Sequence, residues 1–205
     1  MVHASELMRY ERELMAQGCR YICGVDEVGR GPLAGPVTCA AVIMPLDDLI
    51  EGVNDSKKVA KKKRERLAEL IKEKAVAYCV ASYDNRKIDE MNILAATKAC
   101  MAEAVAGLAV TPDVVIVDAL TLDIPVRTFG IVHGDAQSYS IAAASILAKV
   151  ERDAYMTGMD EVYPGYGFSS NAGYGTAAHI AALKELGPTP IHRRTFIGHF
   201  VDADE

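Results

Sequence analysis

Apolar and polar positions change period along this chain, running first as strands and later as strands alternating with helices. Tyr21 to Val28 and Gly35 to Met44 are dense in β-branched and apolar residues. Gly/Pro punctuation separates them, which predicts two strands of a hairpin. From Ser56 to Lys74 the period becomes helical, with Leu67, Leu70 and Ile71 inward and Lys, Arg and Glu outward. Ala75 to Tyr83 predicts a third strand, and Ile88 to Leu108 a long Ala-rich helix. Val114 to Asp118 is short and almost wholly apolar, as a strand covered on both faces must be. Arg127 to Val132 supplies a fifth strand, and Gln137 to Met159 a long helix rich in small residues. After a Gly/Tyr-rich loop at Gly165 to Gly175, Thr176 to Leu186 forms a last helix, ended by Gly187-Pro188. Residues 3–17 predict a short helix of mixed charge. This order of elements predicts an α/β domain built on a mixed sheet.

Composition narrows the classes without naming one. With 205 residues, half of them hydrophobic, the chain can bury the core of one domain. The chain is expected to form one domain over 1–160 with a C-terminal loop and helical segment, 161–205, packed on it. A net charge of −6 argues against indiscriminate coating of nucleic acid, but leaves room for one local basic face. Five cysteines, Cys19, Cys23, Cys39, Cys79 and Cys100, form no C-x-x-C pair, which predicts reduced thiols and a cytoplasmic setting. Met1 to Gly18 carries five charges and no apolar core, unlike a signal peptide. No apolar run approaches the roughly 20 residues of a membrane span.

The chemistry begins at Gly24-Val25-Asp26-Glu27-Val28-Gly29-Arg30-Gly31-Pro32. Two carboxylates sit where the first strand ends, and a glycine–arginine–glycine loop follows. Bare backbone beside a guanidinium suits close approach to a phosphate. Asp118 ends another strand, and Asp135 follows the fifth through His133-Gly134. Alone, Asp118 is as readily a turn residue. Together, four carboxylates at three strand ends fit a two-metal site for phosphodiester hydrolysis, with Mg²⁺ or Mn²⁺ as the oxygen-seeking cations. Geometry sets one puzzle. Asp26 and Glu27 are adjacent on a strand and face opposite ways, so Glu27 must act through a water, its carbonyl or a bulge. The Gly24 to Gly31 stretch is not a nucleotide phosphate loop, since Arg30 and Gly31 replace the required Lys and Ser/Thr.

Lys57, Lys58, Lys61, Lys62, Lys63, Arg64 and Arg66 place seven cations in ten positions, a candidate phosphate-tracking surface. Tyr163, Tyr166, Phe168 and Tyr174 lie among glycines, either as core plugs or as rings for a base or sugar. His192-Arg193-Arg194 is expected at the surface or against phosphate. Ser145 and Lys149, four apart on a helix, are expected to pack or to meet phosphate.

These residues resemble ribonuclease HII, the type 2 ribonuclease H. The resemblance runs in order through GVDEVGRGPLAGPV (24–37), NDSKK (54–58), IDEMNIL (88–94), VIVDA (115–119), HGD (133–135), SIAAASILAKVERD (140–153), PGYGF (164–168) and GYGT (173–176). It implies an RNase H-like fold, with a mixed five-stranded sheet flanked by helices and a C-terminal helical segment. It implies cleavage of RNA in RNA–DNA hybrids, and incision 5′ of single ribonucleotides in duplex DNA. Asp26, Glu27, Asp118 and Asp135 are then the metal ligands, with Asp153 the rival for the fourth place. Asp153 is otherwise expected to pair with Arg152 or Arg30. Gly29, Arg30, Gly31 and Tyr174 would meet the ribonucleotide, and Ser56, Lys57 and Asn92 the nucleic acid. His133 stands where a lysine is common in the family. The expected state is a monomer, without an evident clamp-binding peptide after Phe200.

Overall fold

The structure, a computed structural model, describes residues 3–201. Its centre is a mixed five-stranded sheet in the order β3-β2-β1-β4-β5. β1 (Ile22–Val28), β2 (Val37–Ile43) and β3 (Ala77–Tyr83) form an antiparallel set, and β4 (Val114–Asp118) and β5 (Thr128–Ile131) join β1 in parallel. The edge strands are the less apolar ones, while β2 is buried along its whole length. Pairing of β1 with β2 runs without interruption from Cys23↔Ile43 to Val28↔Thr38. Asp26 therefore shares a face with Ala40, and Glu27 shares the other with Cys39.

A helix covers each face. α5 (Tyr139–Val162) lies on the Ala40 side, where Ala40 and Val42 pack with Tyr139, Ile146 and Leu147. α4 (Ile93–Ala106) lies on the Cys39 side, with Cys100 and Met101 against Val25 and Ala41. Gly24 sets the distance of α5: a Cβ there would lie 2.1 Å from the Ser140 carbonyl carbon, so only a bare backbone admits the first turn of α5. Glu11 of α1 (Arg9–Ala16) caps that turn, accepting from the Ser138 hydroxyl at 2.6 Å and the Ser140 N–H at 2.9 Å.

Two predicted helices are each interrupted. The 56–74 stretch is a 3₁₀ turn at Ser56–Lys58, an extended Val59, and then α2 (Lys61–Lys74). The 88–108 stretch is α3 (Asn85–Met91) and α4, broken at Asn92. Asn92 adopts φ +68, and its side-chain oxygen accepts the N–H groups of Leu94 and Ala95, so it caps the second helix instead of continuing the first. Two short helices, α6 (Phe168–Asn171) inside the Gly/Tyr loop and α8 (Arg194–Ile197), flank α7 (Ala177–Leu186). The C-terminal stretch returns to the loop after β1: Gly35 N–H donates to the Ile191 carbonyl, and Leu33 N–H to that of Gly173. Residues 202–205, where a clamp-binding peptide would lie, are outside the described residues.

Candidate active site

The ends of β1, β4 and the turn after β5 bring four carboxylates to one end of the sheet. Asp26 is 4% exposed and accepts the Glu27 N–H at 2.8 Å. Asp118 accepts the Gly134 N–H at 2.7 Å, which ties the β4 end to the turn that carries Asp135. Charge crowding marks the cluster. Burial, then the Glu27 and Asp118 charges, hold the Asp26 carboxyl well above the usual carboxylate range. Burial also raises Glu27, with Arg30 opposing and Asp118 adding to the rise. Asp135 is raised by burial and by Asp55 and Asp118, against the pull of Lys57. Glu27 Oε2 is buried and has no hydrogen-bond partner. Among the described residues, no three His, Cys, Asp or Glu side chains are gathered tightly enough to enclose an ion by themselves.

No bulge brings Glu27 round to the Asp26 face, since the β1–β2 register is continuous. The two residues straddle the strand end instead, and the Asp118 charge acts on both. Arg30 reaches back to Glu27 at 3.6 Å. Lys57, its head in solvent, lies 3.8 Å from Asp135; burial lowers its pKa, but the Asp135 and Asp55 charges raise it by more.

Backbone strain concentrates in the same region. Asn92, Ala119, His133 and Ala172 are the non-glycine residues with positive φ among those described. Ala119 follows Asp118, His133 precedes Gly134-Asp135, and Ala172 precedes Gly173-Tyr174. Such conformations persist where surrounding contacts over-determine them, commonly at functional sites.

Tyr174 is 41% exposed and lies beside Gly31, with its ring edge 3.7 Å from where a Gly31 Cβ would stand. A buried relay steadies its backbone. The Thr189 N–H donates to His192 Nδ1 at 2.9 Å, so His192 carries its proton on Nε2. That proton meets His179 Nε2 at 3.1 Å, leaving His179 Nδ1 to donate to the Tyr174 carbonyl at 2.9 Å. Burial lowers the pKa of both imidazoles, that of His192 to about 4.

A family model described as ribonuclease HII matches residues 23–199. This chain belongs to the ribonuclease HII family. Curated proteins named ribonuclease HII from Shouchella clausii (strain KSM-K16) and Enterococcus faecalis (strain ATCC 700802 / V583) are each 53% identical to it over 191 residues. That span is 93% of this chain and 74% and 75% of theirs. A solved structure of a PCNA:RNase HII complex from Archaeoglobus fulgidus matches with a TM-score of 0.73 at 27% identity, covering 90% of this chain and 97% of that one. The sheet and its helices are thus the RNase H-like fold, and the chain is a hydrolytic endoribonuclease of the ribonuclease H class.

In this ribonuclease HII family member, the remaining predicted residues separate. Ser56 is buried, its hydroxyl 2.8 Å from that of Ser145, while Lys57 and Asn92 are exposed. Asp153 pairs with Lys149 at 2.6 Å and Arg64 at 3.4 Å, not with Arg152 or Arg30. Arg64 thereby leaves the basic face, and its Nη1 braces the carbonyls of Ser56 and Val59. Tyr166 and Phe168 are core plugs, stacked with ring centroids 5.4 Å apart. His192 and Arg193 are buried, not at the surface; only Arg194 of that triplet is exposed. Ser145, expected to pack or to meet phosphate, packs against Asp26 as well as Ser56. One residue that passed unremarked in the sequence joins the site: Asp55, whose charge raises the Asp135 carboxyl. Asp55 had one visible signal, its place before Ser56-Lys57-Lys58, where its carboxylate caps the turn by accepting the Lys57 N–H.

Proposed function

We propose that this chain hydrolyses the RNA strand of RNA–DNA hybrids and incises 5′ of single ribonucleotides in duplex DNA, using Mg²⁺ or Mn²⁺ held by Asp26, Glu27, Asp118 and Asp135. The observation that carries this reading is the buried, unpartnered Glu27 Oε2 among carboxylates that raise one another's pKa. Such a set calls for more positive charge than Arg30 and Lys57 bring to it, and the donors are the hard oxygens that Mg²⁺ and Mn²⁺ prefer. Loose gathering suits them too, because Mg²⁺ keeps several waters and shares its shell with substrate phosphates. A bound pair of such ions supplies an activated water and stabilises the leaving oxygen of a phosphodiester.

The chain's own residues do the rest. Lys57, exposed and close to Asp135, draws a phosphate toward the carboxylates. Lys58, Lys61, Lys62, Lys63 and Arg66 are exposed around it and track the strand backbone. Gly29, Arg30 and Gly31 meet the ribose and its phosphates, and Tyr174 stacks beside them where the ribonucleotide joins deoxyribose. Ser56 acts by supporting Lys57, and Asn92 meets the second strand. The products carry a 3′-hydroxyl and a 5′-phosphate, and the acting unit is one chain.

The test is a DNA duplex with a single ribonucleotide, incubated with Mg²⁺ or with EDTA. One cut just 5′ of the ribonucleotide, abolished by EDTA, is expected. Cleavage restricted to all-RNA strands removes the single-ribonucleotide reading, and binding without cleavage removes the active site as assigned. Tyr174→Ala is expected to lower kcat/KM on this duplex by about 10- to 100-fold, the worth of a base–aromatic stack. Unchanged kcat/KM in that variant removes the stacking role.

A further inference from the structure

We infer that Arg193 is a positioning residue of the Gly29-Arg30-Gly31 loop, its guanidinium pinning two carbonyls inward so that the Arg30 and Gly31 N–H groups face the substrate ribose. The inference rests on the proposal that this loop meets the ribonucleotide. Arg193 is 0% exposed, and each nitrogen of its fork donates to main chain. Nη2 donates to the Gly29 carbonyl at 2.5 Å, Nη1 to Arg30 at 2.9 Å and Nε to Gly35 at 3.0 Å. Burial, then the Arg152 charge, push its pKa down to about 9, with Asp89 opposing.

Peptide geometry turns this anchorage into aim. The C=O of one residue and the N–H of the next point in opposite directions within the plane of a trans peptide, and no peptide among the described residues is cis. Drawing the Gly29 and Arg30 carbonyls toward Arg193 therefore turns the N–H groups of Arg30 and Gly31 outward. Neither N–H donates to another described residue, and both residues are exposed. Two adjacent free donors, beside the Tyr174 ring, are what an acceptor such as a 2′-hydroxyl or phosphate oxygen requires. A second buried fork closes the loop from behind. Arg152 donates to the carbonyls of Pro36, Ala34 and Ala172, and a Cβ on Gly29, at φ +92, would fall 2.2 Å from its Nε. The loop runs between two guanidinium groups, with its Gly29 and Arg30 carbonyls held by one and the Gly29 Cα hemmed in by the other.

The experiment compares binding of two duplexes, identical except for one ribose or deoxyribose, in Ca²⁺ to suppress turnover. Wild type is expected to prefer the ribose duplex by about tenfold or more, the worth of one or two good hydrogen bonds. Arg193→Lys and Arg193→Gln, which lose the fork, are expected to lose most of that preference while still binding the deoxyribose duplex. Met101→Ala, a truncation in the core behind the sheet, is expected to lower the melting temperature and keep the preference. A folded Arg193 variant with wild-type preference overturns the inference while leaving the proposed function intact. No preference in wild type overturns both. Should neither variant fold, amide exchange in wild type decides: exchange at Arg30 and Gly31 must slow more on the ribose duplex, and equal exchange overturns the inference.

Discussion

Asp26 and Glu27 leave β1 on opposite faces and still share one electrostatic neighbourhood, because Asp118 on the adjacent strand acts on both. The protein holds these groups against their mutual repulsion, so removing one charge relieves the fold and, on the proposed ligand set, disables the chemistry. Asp26→Asn is expected to melt at or above the wild-type temperature while cleavage falls about a thousandfold, matching several kcal/mol of lost metal-assisted stabilisation. Circular dichroism melting beside single-turnover cleavage checks both halves; wild-type cleavage removes Asp26 from the ligand set. These carboxylates were legible because acids at strand ends beside turn glycines are rare outside turns and sites. Asp55 was not, since its place beside Asp135 arises only when the 56–58 turn meets the turn after β5. Arg193 misled for a physical reason. A charged side chain between polar neighbours reads as solvated, and only tertiary structure supplies three carbonyls that let it stay buried.

The strands were readable from their period, because burial on one or both faces writes itself into alternation or into apolar runs. Helix continuity was not. One residue, Asn92, turns a single predicted helix into α3 and α4, and periodicity on either side carries no trace of its φ. The pairing of β1 with α5 depends likewise on one position. Gly24→Ala is expected to cost about 3 kcal/mol or more, since both the new Cβ and the Ser140 carbonyl belong to backbone and neither can rotate away. Urea denaturation measures it, and a loss below about 1 kcal/mol would show that α5 moves freely on the sheet. Displacing α5 also moves Ser145 from Asp26, so cleavage should fall with stability in this variant.

Across the whole molecule, the C-terminal stretch that meets the loop after β1 is itself held together by neutral groups. The Thr189–His192–His179–Tyr174 relay works only with both imidazoles uncharged. His192 has its pKa lowered to about 4, so the unfolded chain, near 6.5, takes up a proton that the folded chain refuses. That contribution to stability is complete above pH 6.5, falls between 6.5 and 4, and is gone below. Asp26, Glu27 and Asp135, raised in the fold, act in the opposite sense and gain stability as pH falls. The comparison with His192→Gln isolates the relay: between pH 7 and 4.5 the wild-type melting temperature is expected to drop further than the variant's. Equal drops, read by calorimetry, would mean that the pair stays neutral for another reason.

The contact between Arg30 and Arg193 spans 163 positions of chain. A nascent protein exposes Asp26, Glu27, Asp118 and Asp135 to the cell well before the ribosome releases residue 193. Closing so long a loop is entropically costly and comes late. On the proposed roles, the blade of this enzyme is delivered before its sight, and a segment made later decides where one made earlier is allowed to cut.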